Sequence, residues 1–580
     1  MPQPVPPRAR QRRAGLSRSR AGYRARSRSR AGLAVALLSA AMLLLSACTA
    51  GYTARDDAGA APAGSLTVAL TAAPSNLDFT TTSGAAIPQA LMGNVYQGLV
   101  AVNEDGKLVP QLASGWQVDS SRTVYTFELQ PGVTFSNGDP FNAESVKFSV
   151  ERVKSAAWSN GLKSGMDVVK AVEVRGEHTV AITLSRPSQS WLWTMATLVG
   201  AQFTPNGTAK LATQAVGTGP FTVTSWKPGQ SLTLTRREHY WGQPAAAPQI
   251  ALRYYADPTT ATNALRAGAV DVVAGMQAPD LLPGFQKDAG FKVTEGTTTG
   301  EVVMSMNNQK APLNDVRVRR AVLHAVNRKA VLDSAWAGRG SLIGAPVPPT
   351  DPYYEDLNNA YPHDPAKARE LLKQAGVDGS TITFSVPDLP YAVAAAQVVV
   401  SDLKKVGLNV KIKQQEFPAV WLDQVLTKHD YQLSVIAHVE PRDLLSLLSK
   451  GYYLGYDSSR ISELAAQADA GDDASYAANM KKVVRRAVVD DAVADTLFLL
   501  PNLNVMRADV SGMPVNAPTT ALDLTRLTKT GQQGDAARSG DAAASGNSAR
   551  SERAARSGDA ARFGDDAASG NPASSGGEGA

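Results

Sequence analysis

The chain has 580 residues, with 58 Lys and Arg against 52 Asp and Glu, and a formal net charge of +6. Ten of the arginines and no acidic residue lie within residues 1–47, so the rest of the chain has 48 basic and 52 acidic residues, a net charge of −4. The basic balance of the whole chain therefore does not indicate nucleic-acid binding. With Cys48 as its single cysteine, the chain cannot form an internal disulfide or a multi-cysteine zinc site.

The N-terminal segment has the three parts of a secretory signal peptide. An arginine-rich start is followed by an apolar stretch from Ala31 to Ala47, which ends directly before Cys48. This order of basic, apolar and small residues predicts a signal peptide over residues 1–47. The cysteine after it resembles the lipobox of bacterial lipoproteins, which implies that the Cys48 thiol carries a diacylglyceryl group and becomes the mature N-terminus. The alternatives are a signal peptide that ends near a buried cysteine and a membrane span, although the stretch is short of the ~20 apolar residues that a span needs.

Two further segments have compositions that disfavour packing. Residues 48–64 are rich in small residues and are predicted to be a flexible tether. Residues 530–580 are mostly Gly, Ala, Ser, Asp and Arg, so they are predicted to be a disordered tail. The body between these segments is about three times the length of a typical domain, which predicts at least two lobes.

The first elements of the body can be predicted from local patterns. The alternating residues Ser65–Leu70 predict a strand, and Thr123–Leu129 predict another. The turn sequence Gln130–Val133 follows this second strand, which is therefore predicted to be an arm of a hairpin. Asn142 is a favourable N-cap for a helix with apolar residues at helical spacing, namely Val146, Val150 and Val153.

The second half of the body contains a strand-helix-strand pattern. Asp364-Pro365 predicts the start of a helix and Gly376 its end. A strand over residues 382–386, a helix over 391–406 and a strand over 408–412 follow. That order predicts two parallel strands joined by a right-handed crossover, so the predicted fold class is α/β.

The sequence contains no pattern that indicates catalysis or a bound metal or cofactor. The glycine-rich run Gly217–Pro220 lacks the Gly-Lys-Ser/Thr of a phosphate-binding loop and precedes a predicted strand rather than a helix. The six histidines show no metal-ligand spacing, and there is no Gly-x-Ser-x-Gly nucleophile motif. An enzyme acting in a cleft would need paired catalytic groups, so the sequence predicts that the protein is not an enzyme and has no cofactor.

A series of motifs between about Ser65 and Leu527 occurs in a characteristic order. The motifs are Ala73–Asp78, Tyr96–Val100, Leu129–Phe141, Phe148–Arg152, Gly217–Phe221 and Asn314–Ala321. In their order and spacing they resemble family 5 of the extracellular solute-binding proteins, the dipeptide, oligopeptide and nickel receptors of ABC importers.

The resemblance implies a two-lobed, hinged fold of the type II periplasmic-binding-protein kind. The first lobe would comprise residues 65–298 and a return segment, 497–529, and the second lobe would comprise residues 299–496. The ligand would bind in the cleft between the lobes. Closure around it, driven by contacts made only in the closed state, would signal the importer.

The resemblance also implies candidate ligand-binding residues. Peptide-binding members hold the ligand's amino terminus with an acid after a strand, in a pattern like Trp-x-x-Asp. Here His438 stands near the place of the tryptophan, and Glu440, or alternatively Asp443, would be the acid. Trp421 would stack on the ligand, and Ser83 would contact it from the loop after the first strand. The alternatives are a solvated acidic loop, a core or surface tryptophan and an ordinary turn serine.

These inferences predict a monomeric, lipid-anchored binding protein on the outer face of the cytoplasmic membrane. Its partners would be a small solute, foremost a peptide, and the permease and ATPase complex of an importer, with no nucleic acid. The alternatives are a different solute, such as a chelated metal or a sugar-like compound, and a signalling receptor without an importer.

Overall fold

The computed structural model describes residues 61–530 of the chain. The predictions for the signal peptide, Cys48, most of the tether and the C-terminal tail fall wholly or largely on residues 1–60 and 531–580, which lie outside the described residues. Within the described part, no helix is both long and apolar enough to cross a membrane.

The strands lie in one large sheet and three small ones. In chain order they are β1 Leu66–Leu70, β2 Val100–Val102, β3 Leu108–Pro110, β4 Ala113–Val118, β5 Val124–Leu129, β6 Val169–Gly176, β7 Thr179–Leu184, β8 Phe221–Lys227, β9 Ser231–Arg236, β10 Gln249–Tyr254, β11 Val272–Val273, β12 Phe291–Met306, β13 Thr381–Pro387, β14 Asn409–Gln415, β15 Leu433–His438, β16 Ala494–Arg507, β17 Val510–Ser511 and β18 Thr528–Lys529. The large sheet has the order β14-β13-β15-β12-β16-β11-β1-β10-β9-β8, and a separate antiparallel sheet has the order β4-β5-β7-β6.

The helices pack on these sheets. In chain order they are α1 Ala86–Leu91, α2 Ala143–Lys154, α3 Gln189–Thr194, α4 Pro258–Arg266, α5 Leu282–Gln286, α6 Val316–Ala325, α7 Arg328–Trp336, α8 Pro365–Ala375, α9 Pro390–Lys405, α10 Ala419–Trp421, α11 Leu444–Leu447, α12 Ser462–Ala470 and α13 Asp473–Val484.

Most of the helices and strands that were predicted from local patterns are present in the structure. The Asn142 side chain accepts a hydrogen bond from the Ser145 backbone N–H and forms a capping box at the start of α2. The Asp364 side chain accepts hydrogen bonds from the Ala366 and Lys367 backbone N–H groups at the start of α8, and Gly376 ends that helix in the left-handed conformation, with φ 69°. The strands β13 and β14, which flank α9, pair in parallel as predicted.

The predicted hairpin has its turn at Gln130–Val133, after the strand, and this position of the turn is wrong. The strand β5 pairs with β4, which precedes it, and with β7, so the hairpin turn lies before the strand. The Gln130 backbone N–H instead donates to the Leu112 carbonyl, and that of Phe141 donates to the Val133 carbonyl. The turn thus directs the chain towards α2.

The hydrophobic residues form separate cores in two lobes. The cores of the first lobe contain residues from 66 to 285 and from 503 to 527, and those of the second contain residues from 302 to 498. The long, paired strands β12 and β16 contribute residues to both lobes. The predicted boundaries, near 298 and 496, fall within these two strands, and where the lobes divide along them stays a prediction.

Candidate functional site

A cavity of 580 Å³ is lined by residues of both lobes. The first lobe contributes Trp193, Leu198 and Val199, and the second contributes residues 437–443 together with residues of α13. The wall is mainly apolar and aromatic, with a few charged groups on the side of the second lobe. The volume of this cavity and the residues that line it are typical of a site for a small organic ligand. We call this space the cleft cavity.

The charged wall is the loop after β15. That strand is buried from Leu433 to Ile436 because β12 and β13 pair with its two edges, and it ends at His438. The loop is held at its far end by α11, whose residues Leu444 and Leu447 are buried. Residues 438–443 are therefore fixed at both ends and face the cleft cavity.

Carboxyl groups dominate this wall. The side chain of Asp443 is only 12% exposed, and burial, together with the charges of Glu440 and Asp351, raises its pKa to about 8. Glu440 lines the cavity nearer to solvent, and partial burial raises the pKa of its carboxyl as well. Behind the wall, Glu301 of β12 is 2% exposed, and its Oε2 has no hydrogen-bond partner. Burial, and after it the charge of Asp443, raises the pKa of Glu301 well above its usual range.

Among the described residues that line the cleft cavity, Arg442 is the one with a permanent positive charge. Its guanidinium is already in contact with other side chains. Its guanidinium carbon lies 3.4 Å from the centre of the Trp193 ring, and its Nε lies 3.5 Å from Asp351 Oδ1. The backbone of Arg442 has φ +55°, an uncommon value for a residue with a side chain. The arginine therefore joins the two lobes and partly balances Asp351, whereas the structure assigns Asp443 no such partner.

His438 does not supply the missing charge. Its Nε2 lies 2.9 Å from the Tyr453 hydroxyl, which in turn lies 2.5 Å from Ser305 Oγ. Its Nδ1 is 3.7 Å from Asp443 Oδ2, but burial lowers the pKa of the imidazole to about 4. The ring is consequently neutral at physiological pH and cannot balance Asp443 electrostatically.

The two lobes also make direct contact beside the cleft cavity. Asp469 of α12 accepts hydrogen bonds from the Ser190 backbone N–H at 3.0 Å, from Ser190 Oγ at 2.6 Å and from Ser188 Oγ at 3.0 Å. Arg186 donates to the same carboxylate at 2.5 Å. We call this group of bonds the cleft-edge contact. It lies at one margin of the cavity, because Ser190 also lines the cavity wall.

The structure brings three of the five predicted ligand-binding residues together. His438, Glu440 and Asp443 all line the cleft cavity. Trp421 is 2% exposed and packs in a core of the second lobe, with its Nε1 donating to Ser434 Oγ at 3.0 Å. This packing, with no face towards the cavity, corrects the expectation that Trp421 stacks on the ligand. Ser83 is exposed on a loop and does not line the cavity, so its predicted contact has no support in this arrangement.

Three residues that line or adjoin the cleft cavity were not predicted from the sequence. Glu301 lies in an apolar strand, Glu301-Val302-Val303-Met304, and an acid at the start of a buried run is the signal that could have indicated it. Trp193 is only 6% exposed and yet lines the cavity. Arg442 also lines it, and no sequence motif marks either residue. In the described residues, no group of three or more His, Cys, Asp or Glu is placed to hold a metal ion.

The arrangement defines a class of fold, a two-lobed protein with a cavity between the lobes. Residues 107–441 match the family model for bacterial extracellular solute-binding proteins, family 5 middle. The chain belongs to this family, whose members bind solutes for ABC transporters and are not enzymes.

Similar proteins of known name include peptide binders. The chain is 26% identical over 454 residues to the probable D,D-dipeptide-binding periplasmic protein DdpA of Escherichia coli (strain K12), covering 73% of this chain and 86% of that protein. It is 29% identical over 410 residues to the di/tripeptide-binding protein 4 of Pseudomonas aeruginosa (strain UCBPP-PA14), covering 65% and 76%.

Solved structures share the fold. The periplasmic binding protein DppA of Helicobacter pylori, in complex with the peptide STSA, matches with a TM-score of 0.69 and 24% identity, covering 80% of this chain and 98% of that one. The protein NikA of Brucella suis, in complex with Fe(III)-EDTA, matches with a TM-score of 0.71 and 24% identity, covering 80% and 100%. The two-lobed fold is therefore common to proteins whose ligands differ.

The core position of Trp421 leads to a prediction. Trp421→Phe removes the hydrogen bond to Ser434 and some buried volume, so it is expected to lower the free energy of unfolding by about 1–3 kcal/mol. Binding in the cleft should be unchanged. Urea denaturation and calorimetry measure the two effects. Trp193→Phe, the same substitution on the cavity wall, is the matched control and should weaken binding; weaker binding in the Trp421 variant alone would contradict the core assignment.

Proposed function

We propose that this protein is a lipid-anchored receptor on the outer face of the cytoplasmic membrane that captures a peptide by its free amino terminus. It delivers the peptide, as a monomer, to the permease and ATPase complex of an ABC importer. The lobes close over the ligand about the strands β12 and β16, and the closed form engages the importer.

The observation that carries the proposal is the acidic wall without a balancing cation. Asp443 is largely buried, lies beside Glu440 and Glu301, and has no positively charged partner assigned to it. Burying a carboxylate is costly unless it is paired, so such a wall is stable either protonated or in contact with a cation from outside. A peptide's ammonium group supplies that cation together with three hydrogen-bond donors.

The comparisons support the peptide as ligand in a general way. Two similar proteins are named for dipeptides or tripeptides, and one solved structure of the same fold contains a peptide. A nickel-binding periplasmic protein is also similar, at 25% identity. We favour the peptide because the described residues form no metal-binding group and because Asp443 is suited to an ammonium group.

Calorimetry with a matched pair of peptides tests the proposal. A tripeptide with a free amino terminus is compared with the same tripeptide after N-acetylation, which removes the charge and keeps the rest of the ligand. Native mass spectrometry of the protein purified from its host identifies which peptides co-purify. We expect the free peptide to bind and the acetylated one to bind poorly. Equal affinities would show that the ligand is not held by its ammonium group.

The anchoring part of the proposal has its own test at Cys48. Cys48→Ser removes the thiol that would carry the lipid, so the variant is expected to leave the membrane fraction or to keep its signal peptide. Membrane fractionation and detergent phase partitioning measure this, with the wild type expected in the detergent phase. An unchanged membrane fraction with normal processing would contradict the lipid anchor and leave solute binding unaffected.

A further inference from the structure

A buried carboxyl group lies behind the acidic wall of the cleft cavity, and one of its oxygens has no hydrogen-bond partner among the described residues. It belongs to Glu301 of β12, which is 2% exposed and is not among the residues that line the cavity. Burying such a group without a partner is costly, so its presence in a native protein calls for a physical reason. The neighbours of Glu301 indicate that reason.

The large sheet places Glu301 next to the acidic wall. Glu301 and His438 are directly opposite each other in the antiparallel pair of β12 and β15, so their side chains lie on the same face, with Cβ atoms about 4.5–5.5 Å apart. His438 Nδ1 in turn lies 3.7 Å from Asp443 Oδ2. Thr299 Oγ1 donates to the Val439 carbonyl at 2.7 Å, which ties the loop after β15 to β12. Glu301, His438 and Asp443 therefore form a row from β12 to the cavity wall.

The groups around this row do not balance two negative charges. The titratable side chains near Glu301 and Asp443 are Asp351, His438, Glu440, Arg442, Tyr452 and Tyr453. Arg442 has Asp351 as its ion-pair partner, and the imidazole and the two phenols are neutral at physiological pH, because burial lowers the pKa of the first and raises those of the others. Two ionised carboxylates in this buried site would repel each other, so at least one of the two acids holds a proton.

A protonated Glu301 can stabilise Asp443 once a ligand is bound. Asp443 lines the cavity and Glu301 does not, so an ammonium group pairs with Asp443 and the proton stays on Glu301. A protonated carboxyl group has an O–H donor, which the ionised form lacks. An ionised Asp443 needs such a donor, since the His438 ring nitrogen at 3.7 Å is too distant for a hydrogen bond. A hydrogen bond from O–H to a carboxylate is also one of the strong ones.

We propose that Glu301 is a positioning residue, which keeps its proton, donates a hydrogen bond to the Asp443 carboxylate and so holds that carboxylate for the ammonium group of the ligand. The inference rests on the proposed function. Burial raises the pKa of both acids, so both are protonated in the empty protein near neutral pH. When the ligand binds, Asp443 releases its proton to the solvent and Glu301 retains its own. One proton therefore leaves the protein for each ligand bound.

Calorimetry in buffers that differ in ionisation enthalpy measures the affinity and the number of released protons together. The ligand is a tripeptide with a free amino terminus, and at about pH 6.5 this terminus is almost fully charged. The wild type should release about one proton for each tripeptide bound, because the pKa of Asp443 in the empty protein is about 8. Asp443→Asn should release almost none.

Two substitutions of Glu301 separate hydrogen bonding from packing. Glu301→Gln keeps the size of the side chain and a donor, so we expect an affinity within about threefold of the wild type and the same proton release. Glu301→Met has a similar size and no donor, so affinity should fall about 10- to 100-fold, and its rise with pH should move to higher pH. The thermal midpoint of Glu301→Met without ligand should not fall, because the substitution removes a buried acid that has an unpartnered oxygen.

Glu416→Met is the matched control for these variants. Glu416 is exposed and does not line the cleft cavity, so the same substitution there should leave affinity and proton release as in the wild type.

Wild-type affinity in Glu301→Met overturns the inference and leaves the proposed function standing, because Asp443 then holds the amine without help. Equal losses of affinity in both Glu301 variants, with lower thermal midpoints, indicate a structural role and also overturn the inference. If Glu301→Met does not fold, Glu301→Gln decides: retained affinity with one proton released supports the inference, and loss of either overturns it. Equal binding of the N-acetylated tripeptide by the wild type overturns the proposed function, and the inference with it.

Discussion

Asp443→Asn is expected to weaken the binding of a peptide with a free amino terminus by roughly 30-fold to several-thousand-fold. That range corresponds to the about 2–5 kcal/mol lost when one partner of a desolvated, hydrogen-bonded charge pair is removed. Asparagine keeps the size of the side chain, so the cavity shape is retained. Calorimetry measures the affinity, and the thermal midpoint without ligand verifies folding.

The same variant should remove a pH dependence. The pKa of Asp443 in the empty protein is about 8, so at pH 6 the carboxyl is neutral and must lose a proton before it can pair with an ammonium group. Affinity is therefore expected to rise between pH 6 and 8. Above about pH 8 it should fall again, because a peptide's own α-amino group loses its proton near 7.7–8.0. In the asparagine variant, the rise in affinity between pH 6 and 8 should be absent.

Stability without ligand should show the opposite slope. Burial raises the pKa of Asp443, so between about pH 4 and 8 the folded state holds a proton that the unfolded state has lost. The contribution of this carboxyl is fully present below the unfolded pKa and is lost as pH rises through the folded one. The empty wild type should therefore become less stable across this window, and Asp443→Asn should show less of this decline.

Glu440→Gln is the matched control for the acidic wall. Glu440 is nearer to solvent, so the direct loss of affinity is expected to stay under about 1 kcal/mol. The charge of Glu440 helps to raise the pKa of Asp443. In the glutamine variant, the rise in peptide affinity should therefore begin at a lower pH. Wild-type affinity in Asp443→Asn, with a large loss in Glu440→Gln, would reverse the assignment of the two acids.

Asp469→Ala is expected to lower ligand affinity by about 10- to 100-fold, although Asp469 is not among the residues that line the cleft cavity. Its carboxylate accepts several hydrogen bonds from Arg186, Ser188 and Ser190, and bonds to a charged group contribute about 1.5–3 kcal/mol. These bonds form only while the lobes are in contact. Their loss shifts the equilibrium towards the open form, and apparent affinity falls with the fraction of closed protein.

Small-angle scattering with and without ligand, together with calorimetry, measures this effect. The variant should need more ligand to reach the compact form. Asp430→Ala is the control, because Asp430 pairs with Lys310 at the surface and within the second lobe. Unchanged affinity in Asp469→Ala would show that the cleft-edge contact does not contribute to closure.

Local and non-local features differed in how well the sequence predicted them. The caps at Asn142 and Asp364 and the parallel pair around α9 were predictable because each depends on residues close in the chain. The position of the hairpin that contains β5 was not predictable, because the turn signal after the strand was stronger than the one before it. The α/β class followed from the strand-helix-strand pattern, whereas the two-lobed architecture came from the order of the motifs, which local patterns do not supply.

The wall of the cleft cavity was predictable only where a family motif included its residues. The loop with Glu440 and Asp443 was found through the resemblance, whereas Trp421 was misplaced because its burial depends on its contact with Ser434 and on neighbours elsewhere in the fold. The stack of Arg442 on Trp193 joins residues 249 positions apart in the chain and belonging to different lobes. No single-sequence pattern links such positions.

That stack gives the protein an intrinsic optical signal. The indole of Trp193 belongs to the first lobe, and the guanidinium that lies 3.4 Å from its ring centre belongs to the second. A cation over the ring face alters the electrostatic surroundings of the indole, and opening of the cleft replaces it with water. Tryptophan fluorescence should therefore change when ligand closes the lobes, so that the rate of closure can be followed in a stopped-flow instrument without an attached dye.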